Sequence, residues 1–414
     1  MIRNHKTGPD PGAKRPLISV RNERGRFVLH NGTVYTPWEK FSGGVSVRGA
    51  IIDRVFAGEL PEDLARDGGE LIDCRNCLIL PGFVDLHLHG ARGFDFTLAS
   101  VDEMIRAVSY HASAGGTTTL MPTLVSAPLE HIKKAAQKIR QARTKISSPY
   151  LAGVHLEGPF LNPWYKGAHT EAYLKNPEPG LIDDLLSSLG DVLGMVTLSP
   201  ELPHAQNAIV RLDSSGVIVA AGHSGATLEE IEGAVKCGLR HAVHTYSAMR
   251  RFHHRSPGVL GAVLTMDELS AEIVADGIHT HPAAVKLFFR AKPAEKAVLA
   301  TDALAVCGLP DRECRLGDKK IINRGGKAQL EDGTLAGSIL TMNRALAGAE
   351  KMSGLSLQRV LPAATINPAR VMRLEKEKGS LEKGKDADIT VVDARYNVLL
   401  TVCRGKPFRA NEES

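Results

Sequence analysis

Apolar positions along the chain follow two rhythms. From about residue 16 to 80, short runs rich in Val, Ile and Thr, such as "RFVLHNGTVYTP", "GVSVRGAIIDRVFAG" and "ELIDCRNCLIL", are broken by Gly32 and Gly43-Gly44. Runs of this kind between turn residues predict strands. The far end repeats the rhythm in "KGKDADITVVDARYNVLLTVCRGKPF" (383–408). The middle differs. Apolar runs at 83–89, 117–123, 150–157, 194–200, 217–223, 241–246, 270–276 and 297–302 alternate with amphipathic segments. "SVDEMIRAVSYHASAG" opens on Ser100, an N-cap type, and ends at Gly115; "PLEHIKKAAQKIRQART" and "TLEEIEGAVKCG" carry acids early and cations late. Those are helix start and stop signals.

Repeated β-α units predict a parallel sheet covered by helices, and eight of them predict a closed (β/α)8 barrel of the TIM type. An open doubly wound sheet is the competing α/β arrangement, but no GxGxxG follows an early strand. The expected organisation is a barrel over 81–377, a small β-rich domain from 16–80 and 378–414, and a disordered tail at 1–15.

Composition narrows the function classes. A net charge of +5 over 414 residues, with no Lys/Arg block, speaks against nucleic-acid binding. No stretch is apolar enough to span a bilayer and the N-terminus lacks a signal-peptide core, so no membrane partner and a cytoplasmic location are expected. Cys74 and Cys77 form a lone CxxC, with Cys237, Cys307, Cys314 and Cys403 scattered singly. Reduced thiols fit this better than a disulfide framework or a zinc ribbon.

Candidate chemistry collects where barrel strands end. In "PGFVDLHLHG" (81–90), His87 and His89 share a strand face by the two-residue period. Alone, such a pair reads more readily as hydrogen-bonded structural histidines than as ligands. Four other strand ends carry metal-ligand types: Glu157 in "HLEGPF", His223 in "AAGHSG", His244 in "AVHTYSAM" and Asp302 in "LATDAL". Together they predict a divalent metal site, one or two ions per chain, Zn2+ or Fe2+ by donor type. Glu157, His223 and His244 would hold one ion with a position open for water. His87 and His89 could hold a second, with Glu157 bridging. Water on such an ion is acidic near neutrality, and Asp302 is the natural general base. "GTLAGSILTM" (333–342) reads either as a turn into a helix or as pocket lining, with Ala336, Gly337 and Ser338 small enough for close approach to a ligand. "GGK" at 325–327 lacks the rest of a phosphate loop and fits a hairpin.

These motifs, in this order, resemble the amidohydrolase superfamily and, within it, the N-acetylglucosamine-6-phosphate deacetylases. "PGFVDLHLHG", "HLEGPFLNPWYKGAH", "AGHSGAT", "VHTYSAM", "HRSPGVLGAV", "ADGIH", "TDA" and "GTLAGSILTM" carry the likeness over nearly all of the chain from residue 30. Superfamily relatives commonly place a carboxylated lysine where this chain has Glu157, which disfavours a cyclic-amide hydrolase. The resemblance implies that the β-rich ends form a small β-sandwich domain. It also implies metal-dependent hydrolysis of the acetamide of N-acetyl-D-glucosamine 6-phosphate. His169, in "KGAH", would orient the acetamide carbonyl. His279 and Arg255 would contact the sugar phosphate, Arg255 reaching the neighbouring site of a homodimer. His253, His254 and His281 are left as surface histidines. The family reads Asn-Ala-Met where this chain has Ser247-Ala248-Met249, so the phosphate end of the pocket gains a shorter donor. Alternatives are deacetylation of a related sugar such as N-acetylgalactosamine 6-phosphate, or a non-catalytic scaffold.

Overall fold

The structure is a computed structural model that describes residues 25–146 and 148–408. The tail expected at 1–15, and the outermost residues of the small domain, lie outside the described residues.

Eight parallel strands form the centre: β1 (Phe83–Leu88), β2 (Thr117–Leu124), β3 (Tyr150–Leu151 and Val154–Glu157, interrupted at Gly153), β4 (Leu193–Leu198), β5 (Ile218–Ala221), β6 (His241–Ala242), β7 (Ser270–Ile273) and β8 (Ala297–Leu299). Each pairs in parallel with the next, with register shifts between β1 and β2 and between β3 and β4. Closure falls just beyond β8, where Ala303 bridges Leu88 and the Asp302 N–H donates to the His87 carbonyl at 2.9 Å. Along the strands, residues such as Leu120, Val196, Val219 and Leu299 pack against helices. Their neighbours Met121, Met195, Ala220 and Val298 join Val84, Leu86 and Val243 in a separate apolar cluster that fills the barrel interior.

The helices begin where their caps predict. Ser100 and Thr227 each make a capping box, with Glu103 and Glu230, at the starts of Val101–Gly115 and Leu228–Cys237. In each, the two side chains satisfy N–H groups that the first turn leaves without helical partners.

The small domain is one hydrogen-bonded sheet built from both chain ends. Its order is Lys406–Phe408, Val398–Cys403, Ile389–Val392, Leu78–Pro81, Arg26–Tyr35, Lys40–Arg48 and Ile51–Ala57, with Glu70–Asp73 also paired to Arg26–Tyr35. The sheet curls until Ile51 bridges Asp386. Its two halves therefore enclose a shared core that includes Phe27, Leu29, Val45, Ile389 and Val402.

Sequence pattern did not reveal one element. Glu313–Leu316, Lys319–Arg324, Lys327–Gln329 and Leu335–Gly337 form a four-stranded antiparallel sheet inserted after β8. "GGK" forms its central turn, pairing Arg324 with Lys327. Leu316, Ile321 and Ala328 seat this sheet against Val125, Ala168 and Leu304. Among the described residues, no helix is long and apolar enough to cross a membrane.

Candidate active site

Four of the expected site residues sit just past their strands rather than on them: His89 directly follows β1, and three others lie further on. His223, His244 and Asp302 follow the last residues of β5, β6 and β8 by two or three positions, with φ of 49°, 27° and 50°. Non-glycine residues adopt such angles only where surrounding contacts hold them, and such positions concentrate at functional sites. The turns swing all three side chains back over the barrel mouth, where β1 delivers His87 and His89.

The carboxylate of Glu157 is the focus. Its Oε1 lies 3.0 Å from His244 Nε2, 3.1 Å from His223 Nε2 and 3.4 Å from His87 Nε2. Its Oε2 lies 3.3 Å from both His89 Nε2 and His169 Nε2. Asp302 Oδ1 stands 3.3 Å from His89 Nε2 and 3.8 Å from His87 Nε2. All of these side chains are buried. Three overlapping sets have metal-binding spacing: His87, Glu157 and His244; His87, His89 and Asp302; Glu157, His169 and His223.

Hydrogen bonds on the far sides of the rings set what each ring presents inward. His223 Nδ1 donates to the Tyr165 carbonyl at 2.8 Å, leaving an Nε2 lone pair facing the cluster. His87 Nδ1 lies 2.9 Å from Glu272 Oε2, and its buried Nε2 makes no hydrogen bond within the protein. His169 is the reverse. Its Nδ1 accepts from the Ser126 N–H at 3.3 Å, so its proton sits on Nε2 and points toward the cluster. The rings thus divide into lone-pair donors and a hydrogen-bond donor.

Electrostatics point the same way. Burial pushes the Glu157 carboxyl up, but the His87 charge and hydrogen bonds from His169, His223 and His244 outweigh it and hold the group well below the carboxylate range. Burial pushes His89 down, yet hydrogen bonds to Asp302 and Glu157 and their charges carry it up to about 9. Burial takes His223 down to about 4 against the pull of Glu157, so this ring is neutral. The His223 and His244 Nε2 atoms, 3.1 Å apart, have room between them for one proton or one shared cation. Imidazole nitrogens packed around buried carboxylates are the donor chemistry a divalent ion requires. The residues fit the group.

The other candidates surround this centre. Ser338 N–H donates to the Asp302 carbonyl at 2.7 Å, and Ser338 accepts at its own carbonyl from Leu304. "GTLAGS" therefore runs as an extra short strand beside Asp302, then leads into the helix Met342–Ser353, as the turn-into-helix reading expects. A Cβ on Gly337 would lie 2.7 Å from Leu304 and 2.9 Å from the Asp302 carbonyl. Gly337→Ala is expected to lower stability by about 1–3 kcal/mol and to shift Asp302, measurable as a lower thermal midpoint with reduced kcat. Ser247 N–H donates to the His244 carbonyl, and the Ala248 carbonyl accepts from Ser224, so both border the His244 turn. His279 Nδ1 meets Asp276 Oδ2 at 2.7 Å, while its buried Nε2 has no hydrogen bond. Arg255 is exposed, its Nη1 donating to His254 Nε2 at 2.9 Å; His253, His254 and His281 are exposed.

Sequence reading missed Glu272, which is fully buried and joins His87 to His241, and Ser126, which sets the His169 proton. One signal was available for Glu272: it is the single acid inside the apolar run "SAEIVA". Ser126 follows β2 by two residues with nothing to mark it. A cavity of about 440 Å³ opens at the opposite barrel mouth, lined by Arg240, Ser270, Lys296 and Arg370 among others, and shares no residue with the cluster.

Comparison with known proteins agrees with this geometry. Residues 78–408 match the amidohydrolase family, a family of metal-dependent enzymes. The chain is 39% identical over 424 residues to N-acetylglucosamine-6-phosphate deacetylase of Bos taurus, covering 98% of this chain and 99% of that one. The Bacillus subtilis (strain 168) enzyme of the same name is 35% identical, covering 79% and 84%. Among solved structures, a mutant N-acetyl-D-glucosamine-6-phosphate deacetylase from Mycobacterium smegmatis, in complex with N-acetyl-D-glucosamine-6-phosphate, superposes with a TM-score of 0.87. It shows 31% identity over 93% of this chain and 99% of that one. The chain belongs to the amidohydrolase family and, within it, to the N-acetylglucosamine-6-phosphate deacetylases.

Proposed function

We propose that this chain hydrolyses the acetamide of N-acetyl-D-glucosamine 6-phosphate to D-glucosamine 6-phosphate and acetate. The observation that carries the reading is the convergence of five imidazoles on the two oxygens of Glu157, with Asp302 beside His89. Glu157, His223 and His244 would hold one divalent ion, Zn2+ or Fe2+, and His87 and His89 could contribute to holding a second. A bound cation polarises the amide carbonyl and makes a water acidic enough to attack near neutral pH.

The chain's own groups do the rest. His169 Nε2–H donates to the amide oxygen as the carbon becomes tetrahedral, where a fixed donor is worth more than mobile water. Asp302 accepts the proton of the attacking water as the new C–O bond forms. It returns that proton to nitrogen as the C–N bond breaks, so the sugar leaves as an amine rather than an amide anion. Ala336, Gly337 and Ser338 line the wall beside Asp302. His279 and Ser247, with Ala248, face the phosphate end. Arg255, exposed in its own chain, supplies the phosphate's cation to the partner of a homodimer. Six free cysteines support a cytoplasmic setting.

Acetate release tests the reading directly. Metal-replete protein is expected to release acetate from N-acetylglucosamine 6-phosphate, much less from the galactose epimer or the unphosphorylated sugar, and none after chelation. Silence of the metal-replete protein on all three sugars would refute it. Arg255→Ala removes a charged hydrogen bond worth about 1.5–3 kcal/mol, so KM should rise about 10–100-fold with little change in kcat. Mixing Arg255→Ala chains with Asp302→Asn chains should restore activity, because the hybrid dimer holds one complete site. A mixture no better than its components would place Arg255 outside the neighbouring site.

A further inference from the structure

Beneath the ligand cluster a polar chain crosses the barrel interior. Ser270 Oγ, at the start of β7 and on the wall of the basal cavity, lies 2.8 Å from His241 Nδ1. His241 Nε2 lies 3.1 Å from Glu272 Oε1. Glu272 Oε2 lies 2.9 Å from His87 Nδ1 and also accepts the His244 backbone N–H at 3.2 Å. Both His241 and Glu272 are fully buried. One carboxylate therefore touches two expected ligands, a side chain on β1 and a backbone beyond β6.

We infer that Glu272 is a positioning residue for the metal site, holding His87 as the Nδ1–H tautomer so that its Nε2 lone pair faces the cation. The inference rests on the metal-dependent reading above. A buried carboxylate only accepts hydrogen bonds, so an imidazole against it must present N–H on that side and a lone pair on the other. The second contact matters as much. By accepting from His244 N–H, Glu272 also fixes a backbone whose φ of 27° would otherwise relax. His241 and Ser270 in turn fix the carboxylate's rotation.

A purely structural ion pair would leave the same contacts, so the test separates affinity from stability. Glu272→Gln keeps the shape but puts an amide NH2 against one of two rings that both donate, so one ring must change tautomer. Chelator-stripped full-length protein is titrated with Zn2+ in competition with a chromophoric chelator, and unfolding of the metal-free form is followed in parallel. Glu272→Gln is expected to bind Zn2+ about 10–100-fold more weakly, with its metal-free thermal midpoint within a few degrees of the parent. Ser270→Ala, one link further out, is expected to lose a few-fold. Parental Zn2+ affinity in Glu272→Gln, or a fall in midpoint without a fall in affinity, overturns the inference. Should Glu272→Gln not fold, unchanged affinity in Ser270→Ala overturns it. A parent protein that takes up no Zn2+ or Fe2+ instead refutes the metal-dependent reading itself.

Discussion

Asp302→Asn is expected to lower kcat on N-acetylglucosamine 6-phosphate by about 10³–10⁴-fold while KM and metal content stay near parental values. General acid–base assistance contributes roughly 10²–10⁴-fold, and one carboxylate serving both proton transfers should lie toward the top of that range. The geometry suits the task. Asp302 Oδ1 stands 3.3 Å from His89 Nε2 and 3.8 Å from His87 Nε2, beside the cluster rather than at its focus on Glu157. Burial raises the Asp302 carboxyl, but the His89 hydrogen bond and the charges of His87 and His89 outweigh it, so the basic form is present at neutral pH. Asparagine keeps the size and cannot take a proton. A pH profile supplies the second readout, since the acid limb due to this carboxylate should vanish in the variant. Turnover within tenfold of the parent would remove Asp302 from the reaction. Activity lost only in proportion to metal would make it a ligand instead.

Much of the site was legible because the residues that carry it interrupt apolar runs. Glu157, His223, His244 and Asp302 each close a run of small or branched side chains, and a polar residue is conspicuous there. The precise ends of the runs were not legible. His223, His244 and Asp302 take positive φ, which the next turn imposes and no local propensity announces, so β5, β6 and β8 stop two or three residues early. Loop residues were visible only through resemblance. His169 and His279 follow no periodic element, and their orientation depends on Ser126 and Asp276, which nothing in spacing singles out. The inserted sheet escaped for another reason. Its strands are three to six residues long and rich in Lys and Arg, and its core borrows Val125, Ala168 and Leu304 from distant segments. Alternation over so few positions carries no readable period.

Glu157→Gln should have the largest effect on metal content, and through it on turnover. The carboxylate is the shared neighbour of five imidazoles, and it is the only acid in contact with His169, His223 and His244 among the described ion pairs. An amide offers one weak oxygen donor, removes the negative charge and sets an NH2 among ring nitrogens that need to present lone pairs. Apparent zinc binding of roughly 10–16 kcal/mol shared among about four ligands puts the loss near 3 kcal/mol, a factor on the order of 10². Because every candidate ligand histidine lies against this carboxylate, total metal content should fall. Elemental analysis after dialysis reads metal per chain, and acetate release should track it. The fold itself should survive. The rings of His223 and His169 retain their outer bonds to Tyr165 and Ser126. Far-UV dichroism of the metal-free variant should therefore match the parent. A Glu157→Gln protein that keeps its full metal complement and turns over normally would break the link between this carboxylate and the chemistry.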